Sequence, residues 1–331
     1  MALINYGRAI RDGFEYLLMT YSDVFVIGQG LWSPWYVGQS MTDLDLQFGK
    51  SRIVDTPVSE NACTGAAVGA SLNGMRPIVV HPRMDFMMYS MDPIVNQAAK
   101  WSSMFGGAAR PNITIRAIVN RGGEQGAQHS QMLHAWFAHI PGLRVVMPTT
   151  PADARDLLIA SVLCPDPVIY IDDRWLYDIE AEVGQIREQS LASFGPHLSR
   201  SGSDITLVGS GYSAHQAEKV SYLLERHKIF CDVIDLRQVA PLDITKIRES
   251  VIRTGRLVVL DGGWASCGLS AEVIARVVES VEYPCLKSAP LRITLPAATA
   301  PCAATYEAIY YQTDQEILNK ILQHLKLGSE E

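Results

Sequence analysis

Two polar side chains in the first half of the chain have types and positions suited to acid–base chemistry. Glu60 begins a segment rich in alanine and glycine, shortly after the apolar run at 52–55. His129 follows a glycine-rich stretch that also carries Arg121 and Glu124. A carboxyl group can hold a proton and an imidazole can give or take one near neutral pH, so both residues are candidates for proton transfer.

Each of these residues also has a purely structural explanation. A glutamate in the first turn of a helix is stabilised by the helix dipole, by about 0.3–1 kcal/mol, without any catalytic role. A histidine in a glycine-rich loop can simply be solvated. Taken one at a time, the two residues leave the structural and the functional explanation open.

Hydrophobic periodicity places both residues at the ends of predicted strands. Apolar, β-rich runs alternate with helical patterns, which is typical of a parallel sheet covered by helices on both faces. Such sheets bind ligands at the carboxyl ends of their strands. Polar or glycine-rich segments follow the strands at 28–30, 57–60, 83–89 and 121–131. The predicted strands are 23–28, 52–55, 76–80, 112–119, 143–148 and 168–171, and the predicted helices are 3–21, 60–73, 90–104 and 151–163.

The alternation weakens after the sixth strand and then resumes, which predicts a second domain. The fold class is α/β, with two domains that are each a mostly parallel sheet flanked by helices. We expect domains at 1–175 and 201–331, joined by a linker at 176–200. The second domain has predicted strands at 204–209, 230–235 and 256–261, and predicted helices ending near 227 and spanning 244–251, 270–278 and 314–327.

Composition excludes several classes of protein. The chain has 331 residues, 48% of them apolar and 19% charged, a globular balance rather than that of a disordered chain or coiled coil. Lys and Arg total 28 against 35 Asp and Glu, a net charge of −7, which disfavours nucleic-acid binding. No apolar run reaches the roughly 18 residues of a membrane helix. No signal peptide is visible and the six cysteines form no C-x-x-C pair, so we expect a cytoplasmic protein with buried thiols.

Other common catalytic patterns are missing from the sequence. No G-x-S-x-G nucleophile motif, P-loop or dinucleotide fingerprint occurs. His134 and His139 are five residues apart, not the four of a helical zinc pair, so no metal site is predicted in this chain.

Three segments together resemble a known family. They are Asp55-Thr56-Pro57-Val58-Ser59-Glu60, Gln128-His129-Ser130-Gln131 and the run from His139 to Pro148, and in the second domain the run from Arg253 to Trp264 also fits. The chain resembles the beta subunit of the thiamine-diphosphate-dependent decarboxylase component of 2-oxo acid dehydrogenases, of the pyruvate, branched-chain and acetoin types. Transketolase shares its domains. The resemblance extends over residues 3–327, nearly the whole chain.

The resemblance implies half of an active site. The first domain is the pyrimidine-binding half of a thiamine diphosphate site, and the second is a transketolase C-terminal-like domain. An alpha subunit supplies the diphosphate half, with a G-D-G motif that holds Mg²⁺, and this chain has no G-D-G. The implied assembly is an α2β2 heterotetramer acting on a small 2-oxo acid, with no nucleic-acid or membrane partner.

The resemblance also assigns roles to individual residues. Glu60 is the expected catalytic glutamate, which hydrogen-bonds the aminopyrimidine, and Phe86 is expected to stack on that ring. His129 is expected to orient the substrate or transfer a proton. Gln29 and Ser59 are weaker candidates for cofactor contacts, and Arg121 is a candidate substrate contact.

Departures from the family pattern leave the acyl acceptor open. Gly28-Gln29-Gly30 stands where the family commonly has Gly-Glu-Asp, and Arg121 and Glu124 add charge before His129. The acyl group could pass to a lipoyl domain of an acyltransferase or to a carbonyl acceptor. A structural K⁺ is doubted, because the matching segment, 161–166, carries Cys164 and Pro165.

Two alternative functions are also compatible with the sequence. The first is a subunit of a split transketolase, with His81 and Arg83 as phosphate contacts. The second is a non-catalytic paralogue that keeps the fold.

Overall fold

The computed structural model describes residues 2–282 and 284–327, without the side chains of residues 326 and 327. Contacts divide the chain into two compact units. The first comprises residues 2–121 and 128–194, and the second residues 122–127 and 195–327, again without residue 283. The predicted linker at 176–200 contains structured segments, and its part up to Phe194 belongs to the first unit. The last residues of the predicted second domain, 328–331, lie outside the described residues.

The first unit is built on six parallel strands in the order β6-β7-β5-β4-β2-β3. A separate antiparallel pair joins β1 to β8. The strands are β1 (Ala2–Asn5), β2 (Val24–Gly28), β3 (Ile53–Asp55), β4 (Arg76–His81), β5 (Thr114–Val119), β6 (Arg144–Val146), β7 (Val168–Asp173) and β8 (Glu180–Val183). All six residues of β5 and of β7 are buried. Continuous burial is what a parallel sheet covered on both faces requires, as the apolar runs predicted.

Two helices of the first unit, α1 and α6, begin at a side chain that accepts a hydrogen bond from a free amide of the first turn. The Asn5 side chain accepts from the Arg8 amide at the start of α1, and Thr150 caps α6 in the same way. The helices are α1 (Tyr6–Thr20), α2 (Leu44–Phe48), α3 (Glu60–Leu72), α4 (Trp101–Met104), α5 (His134–Ala138) and α6 (Pro151–Leu163).

The prediction of one continuous helix at 90–104 is wrong. A 3-10 helix spans Met84–Ser90, a π-helix spans Asp92–Ala98, and the α-helix α4 covers Trp101–Met104. Pro93 lies in the first turn of the π-helix and has no amide hydrogen to donate to the preceding turn. The segment therefore changes its hydrogen-bond pattern at this point instead of continuing as one helix.

A buried ion pair connects the central strands of this sheet. Arg116 on β5 is fully buried and donates to both carboxylate oxygens of Asp172 on β7, at 2.9 and 2.8 Å. It also donates to Ser40 and to the Tyr177 hydroxyl, each at 2.8 Å. Burial lowers the pKa of Arg116, but the Asp172 carboxylate, Tyr177 and Tyr170 together raise it overall. Every charge in the group has a partner, as burial demands.

The second unit has a five-stranded sheet in the order β14-β13-β10-β11-β9, parallel except for β9. Its strands are β9 (His197–Arg200), β10 (Ile205–Gly209), β11 (Cys231–Asp235), β13 (Leu257–Trp264) and β14 (Leu291–Leu295), and β12 (Gln238–Ala240) is not part of that sheet. Its helices are α7 (Tyr212–Glu225), α8 (Thr245–Thr254), α9 (Leu269–Ser280), α10 (Ala304–Tyr310) and α11 (Asp314–Leu327). Its core includes Ile205, Leu207, Val220, Val258 and Ile321, all fully buried.

The loop 122–127 is held within the second unit by Glu124. The Glu124 amide donates to the Glu307 carboxylate at 2.9 Å, and the Glu124 carboxylate accepts from the Ala304 amide at 3.1 Å. Gly126 has a φ of 73°, and a Cβ at that position would lie 2.4 Å from the Cys302 sulfur. The loop therefore requires glycine there, and its conformation depends on the start of α10.

Candidate functional site

The carboxyl ends of three neighbouring strands bring the first group of predicted residues together. β2 lies between β4 and β3, so Gln29, Thr56 and Pro82 each follow one of three adjacent strands. The Thr56 amide donates to the Gly28 carbonyl at 2.9 Å. The Gly30 amide donates to the Asp55 carboxylate at 2.6 Å. These bonds fix the strand ends that frame the site.

Glu60 stands at the edge of a small pocket formed by these strand ends. Gln29, Ser59 and Glu60 all line the pocket, as do Cys63 and His81. Glu60 is the first residue of α3, and the helix dipole stabilises a carboxylate there. Within the part of the chain that the structure describes, its carboxylate makes no hydrogen bond or ion pair, so both oxygens are available to a ligand. The structure thus brings together three of the predicted site residues.

The pocket is too small to enclose an aromatic ring by itself. Its volume is about 10 Å³, roughly the space that one water molecule needs. Position 28 requires glycine, because a Cβ there would lie 2.4 Å from the Val80 carbonyl oxygen. A ligand that touches Glu60 must therefore lie at the mouth of the pocket, outside this chain.

His81 lines the same pocket but is electrically neutral. Only 2% of its surface is exposed, and burial lowers the pKa of its imidazole to about 4. Its Nε2 lies 3.4 Å from the Thr64 hydroxyl, which donates to Ser90 at 2.9 Å. A neutral, buried imidazole is a poor contact for a phosphate, which disfavours the transketolase role considered for His81.

Phe86 and His129 form a second group. Their ring centroids are 5.2 Å apart with an interplanar angle of 88°, an edge-to-face contact. Phe86 lies in the 3-10 helix after β4, and both rings are half-buried. The structure thus places the Phe86 and His129 rings in direct contact, and the roles that the resemblance implies for them stay predictions.

Helix α3 connects the two groups. The Asn61 side chain, next to Glu60, donates to the Tyr89 carbonyl at 3.2 Å, and the Thr64 side chain, one turn later, donates to the Ser90 hydroxyl at 2.9 Å. Both acceptors lie at the end of the 3-10 helix that carries Phe86. The helix with the candidate acid–base glutamate therefore also positions the aromatic segment.

Asp85 is a buried carboxylate that sequence reasoning did not single out. It immediately precedes Phe86 and accepts at Oδ1 from the Gln131 amide at 3.1 Å and side chain at 2.9 Å. Burial raises its pKa, against the hydrogen bonds from Gln131 and the charge of His129, which lower it. The available signal was a carboxylate next to the predicted stacking aromatic, but no local pattern shows its bond to Gln131.

Two buried oxygens beside His129 have no hydrogen-bond partner among the described residues. They are Oδ2 of Asp85 and Oγ of Ser130. A buried polar atom without a partner costs about 1–3 kcal/mol. Each of these atoms needs a further hydrogen-bond partner, which a bound molecule or a neighbouring side chain that moves would have to supply.

Arg121 is not brought to the pocket with Glu60. It is buried and paired with Asp173 at the end of β7, and its guanidinium lies 4.7 Å from the centre of the Trp175 ring. Part of the guanidinium is therefore already occupied by contacts within the protein. Its role as a substrate contact stays a prediction.

The segment considered for K⁺ has carbonyl groups that already accept hydrogen bonds. In the orientation that satisfies its neighbours, the Asn112 amide donates to the carbonyls of Val162 at 3.2 Å and Cys164 at 2.9 Å.

Within residues 2–282 and 284–327, no group of three or more His, Cys, Asp or Glu could hold a metal ion. No helix among those same residues is long and apolar enough to cross a membrane.

The sequence matches two domain families along most of its length. Residues 2–178 match the transketolase pyrimidine-binding domain, and residues 197–317 match the transketolase C-terminal domain. Among solved structures, a split-gene transketolase described as an inactive beta4 tetramer matches with a TM-score of 0.77. It is 19% identical and the match covers 98% of this chain and 99% of that one, a likeness of fold.

Similar curated proteins show which group of proteins with these two domains the chain belongs to. The beta subunit of acetoin:2,6-dichlorophenolindophenol oxidoreductase from Cupriavidus necator is 39% identical over 84% of this chain and 81% of its own. The pyruvate dehydrogenase E1 component subunit beta from Rickettsia bellii is 34% identical over 96% of this chain and 97% of its own. With transketolase-type domains in the same order and identity of this extent, the chain belongs to the family of beta subunits of the pyruvate and acetoin dehydrogenase decarboxylase components.

Proposed function

We propose that this chain is the beta subunit of a thiamine-diphosphate-dependent enzyme that decarboxylates a 2-oxo acid and transfers the acyl unit. The observation that carries the proposal is the Glu60 carboxylate, which stands at a pocket mouth with no partner among the described residues. Membership of the family indicates that the cofactor is thiamine diphosphate. When bound, thiamine diphosphate supplies a nucleophilic carbon and an electron sink for the decarboxylation.

Three side chains of this chain would act on the cofactor and substrate. The Glu60 carboxyl would hydrogen-bond a pyrimidine nitrogen and hold a proton there. General acid–base catalysis of this kind typically raises the rate by about 10²–10⁴-fold. Phe86 would offer its ring to the pyrimidine, and His129 would orient the substrate carboxylate or transfer a proton through its imidazole. Gln29 and Ser59 line the same pocket mouth and would add polar contacts.

A partner subunit is proposed to complete the site. The pocket in this chain is too small for the ring, and the sequence has no G-D-G, so the diphosphate and Mg²⁺ would be held by an alpha subunit in an α2β2 assembly. One face of α3 is suited to such a partner. It exposes Ala62, Gly65, Ala66 and Gly69, and a Cβ on either glycine would meet nothing within 4 Å. Small side chains let another element approach closely.

The acyl acceptor and the location of the protein are parts of the same proposal. Acetoin and pyruvate dehydrogenase relatives make a lipoyl domain of an acyltransferase the first acceptor to test, and a carbonyl compound the second. The composition and cysteine pattern favour the cytoplasm. The split-transketolase alternative has weaker support, because His81 is neutral and buried and the likeness to that structure is one of fold.

The test begins with the chain alone and then with an alpha subunit co-expressed. Calorimetry with thiamine diphosphate and Mg²⁺ should show binding only to the complex, which should then release CO₂ from a 2-oxo acid. Tight binding to the lone chain would contradict the shared site. A well-formed complex that binds no cofactor would favour the non-catalytic paralogue.

A matched pair of variants tests the role of Glu60. Glu60→Gln should lower CO₂ release by about 10²–10⁴-fold while cofactor binding is retained. Glu272 also lies in the first turn of a helix, α9, and Glu272→Gln should leave turnover unchanged. Unchanged turnover in Glu60→Gln would refute the proposed mechanism. Supplying a lipoyl domain, or aldehydes and sugars, as acceptors then identifies where the acyl group goes.

A further inference from the structure

Asp85 holds the turn that carries His129. Its Oδ1 accepts both the backbone and side-chain N–H of Gln131, two residues after His129. The neighbouring residues reinforce this attachment: the Phe86 ring meets the His129 ring edge to face, and the Leu133 amide donates to the Met84 sulfur at 3.4 Å. Three successive residues of the 3-10 helix, Met84, Asp85 and Phe86, therefore contact the segment 129–133.

The second oxygen of Asp85 is not used by these contacts. Oδ2 is buried and has no hydrogen-bond donor among the described residues. An ionised carboxylate accepts at both oxygens, so an unused, desolvated oxygen is costly unless a donor reaches it. The group is 6% exposed, which leaves little access for solvent to supply that donor.

Two basic side chains influence this carboxyl group. Burial raises the pKa of Asp85, whereas the charge of His129 lowers it. Burial and the charge of Arg174 lower the pKa of Arg83, whereas the Asp85 carboxylate raises it. Of the two, His129 lies on the turn that Asp85 already holds through Gln131.

We propose that Asp85 is the positioning residue of His129: Oδ1 fixes the turn through Gln131, and Oδ2 accepts the imidazole N–H during turnover. This inference rests on the proposed function of His129. A histidine that donates from one ring nitrogen to a carboxylate is held in one tautomer and orientation. Its other nitrogen then faces the substrate. Asp85 itself touches neither substrate nor cofactor.

The substitution Asp85→Asn separates the two proposed roles of the carboxylate, accepting from Gln131 and accepting from His129. The amide oxygen can still accept from Gln131, but the amide nitrogen in place of Oδ2 donates and cannot accept from His129. In the assembled enzyme we expect kcat to fall at least about tenfold, with the KM for the 2-oxo acid changed by less than about threefold. Thermal unfolding of the variant should match that of the parent chain.

A double-mutant cycle with His129→Ala tests whether Asp85 acts through the histidine. If it does, Asp85→Asn should have no further effect on kcat in the His129→Ala background. An equal loss in both backgrounds would overturn the inference. Arg83→Gln is the matched control, because the Asp85 carboxylate also raises the pKa of Arg83. If that variant reproduced the loss in kcat, Asp85 would be acting through Arg83 and the inference would be wrong.

A spectroscopic measurement separates this inference from the proposed function. The chain has 8 histidines, and His129→Ala identifies the signal of His129 in nitrogen NMR spectra of ¹⁵N-histidine-labelled protein. In the assembled enzyme with an unreactive analogue of the 2-oxo acid bound, we expect one dominant tautomer for the parent sequence and a mixture for Asp85→Asn. The same tautomer populations in both would overturn the positioning role. If His129→Ala retained full activity but the tautomer changed in Asp85→Asn, the proposed role of His129 would fail while the positioning inference stood.

Discussion

At the residue scale, His81 shows how burial alone sets the charge of a side chain. Burial lowers the pKa of its imidazole to about 4, from an ordinary value of 6.5. The unfolded chain therefore binds more protons than the folded one between these pH values, and folding stability falls as pH drops through that window. The full contribution, about 3 kcal/mol, is present above pH 6.5 and lost towards pH 4.

The substitution His81→Gln should remove this part of the acid sensitivity. We expect the thermal midpoint of the variant to change less between pH 6.5 and 5 than that of the parent chain, where few carboxylates interfere. His227→Gln, at an exposed position, is the control and should leave the pH dependence as it is. An unchanged slope in His81→Gln would show that His81 is not the titrating group.

At the element scale, the central strands depend on the buried pair of Arg116 and Asp172. Arg116→Ala leaves the Asp172 carboxylate buried without its cation, which should cost about 3–5 kcal/mol of stability. The measurement is denaturant unfolding. Arg144→Ala breaks a partly exposed pair with Asp166 in the same unit and should cost about 1 kcal/mol or less. Similar losses in the two variants would contradict the importance assigned to burial.

The outward face of α3 is expected to carry the partner subunit. Gly69→Leu adds a side chain where nothing lies within 4 Å, so the isolated chain should be as stable as before or slightly more so. Binding of the alpha subunit should weaken by about tenfold or more, because the leucine overfills a close contact. Lys219→Leu, on the exposed face of α7, controls for added hydrophobicity. Normal assembly of Gly69→Leu would place the interface elsewhere.

At the scale of the whole molecule, much of the architecture follows from the order of apolar runs. Parallel strands share one edge for their carboxyl ends, so the segments after β2 and β3 could be expected to meet, and the structure brings Gln29, Ser59 and Glu60 together there. The alternation of strands and helices likewise predicts an α/β fold with two units.

The details that sequence reasoning missed are contacts between distant residues. Arg121 pairs with Asp173, 52 residues away, and Gln131 bonds Asp85, 46 residues away. No local period reports either bond. The broken segment at 84–104 has a helical hydrophobic pattern, but Pro93 and the hydrogen bonds from α3 impose other turns on it.

The loop 122–127 provides a test at this scale, because one side chain secures it. Glu124→Ala removes the acceptor of the Ala304 amide, a bond worth about 1 kcal/mol. Hydrogen exchange at that amide and within the loop should become about fivefold faster. The strands of both units should keep their protection. Glu279→Ala, at an exposed position on α9, should change neither region, and an unaffected loop in Glu124→Ala would show that other contacts hold it.

The contacts of Glu124 also set the order in which the protein can be completed on the ribosome. Its partners at Ala304 and Glu307 are 180 and 183 residues further along the chain. At a synthesis rate of about 5–20 residues per second, the loop waits some ten to forty seconds before either partner has been translated. The strands of the first unit can assemble during that time. The stretch leading into His129 is therefore among the last parts of the newly made chain to take its final form.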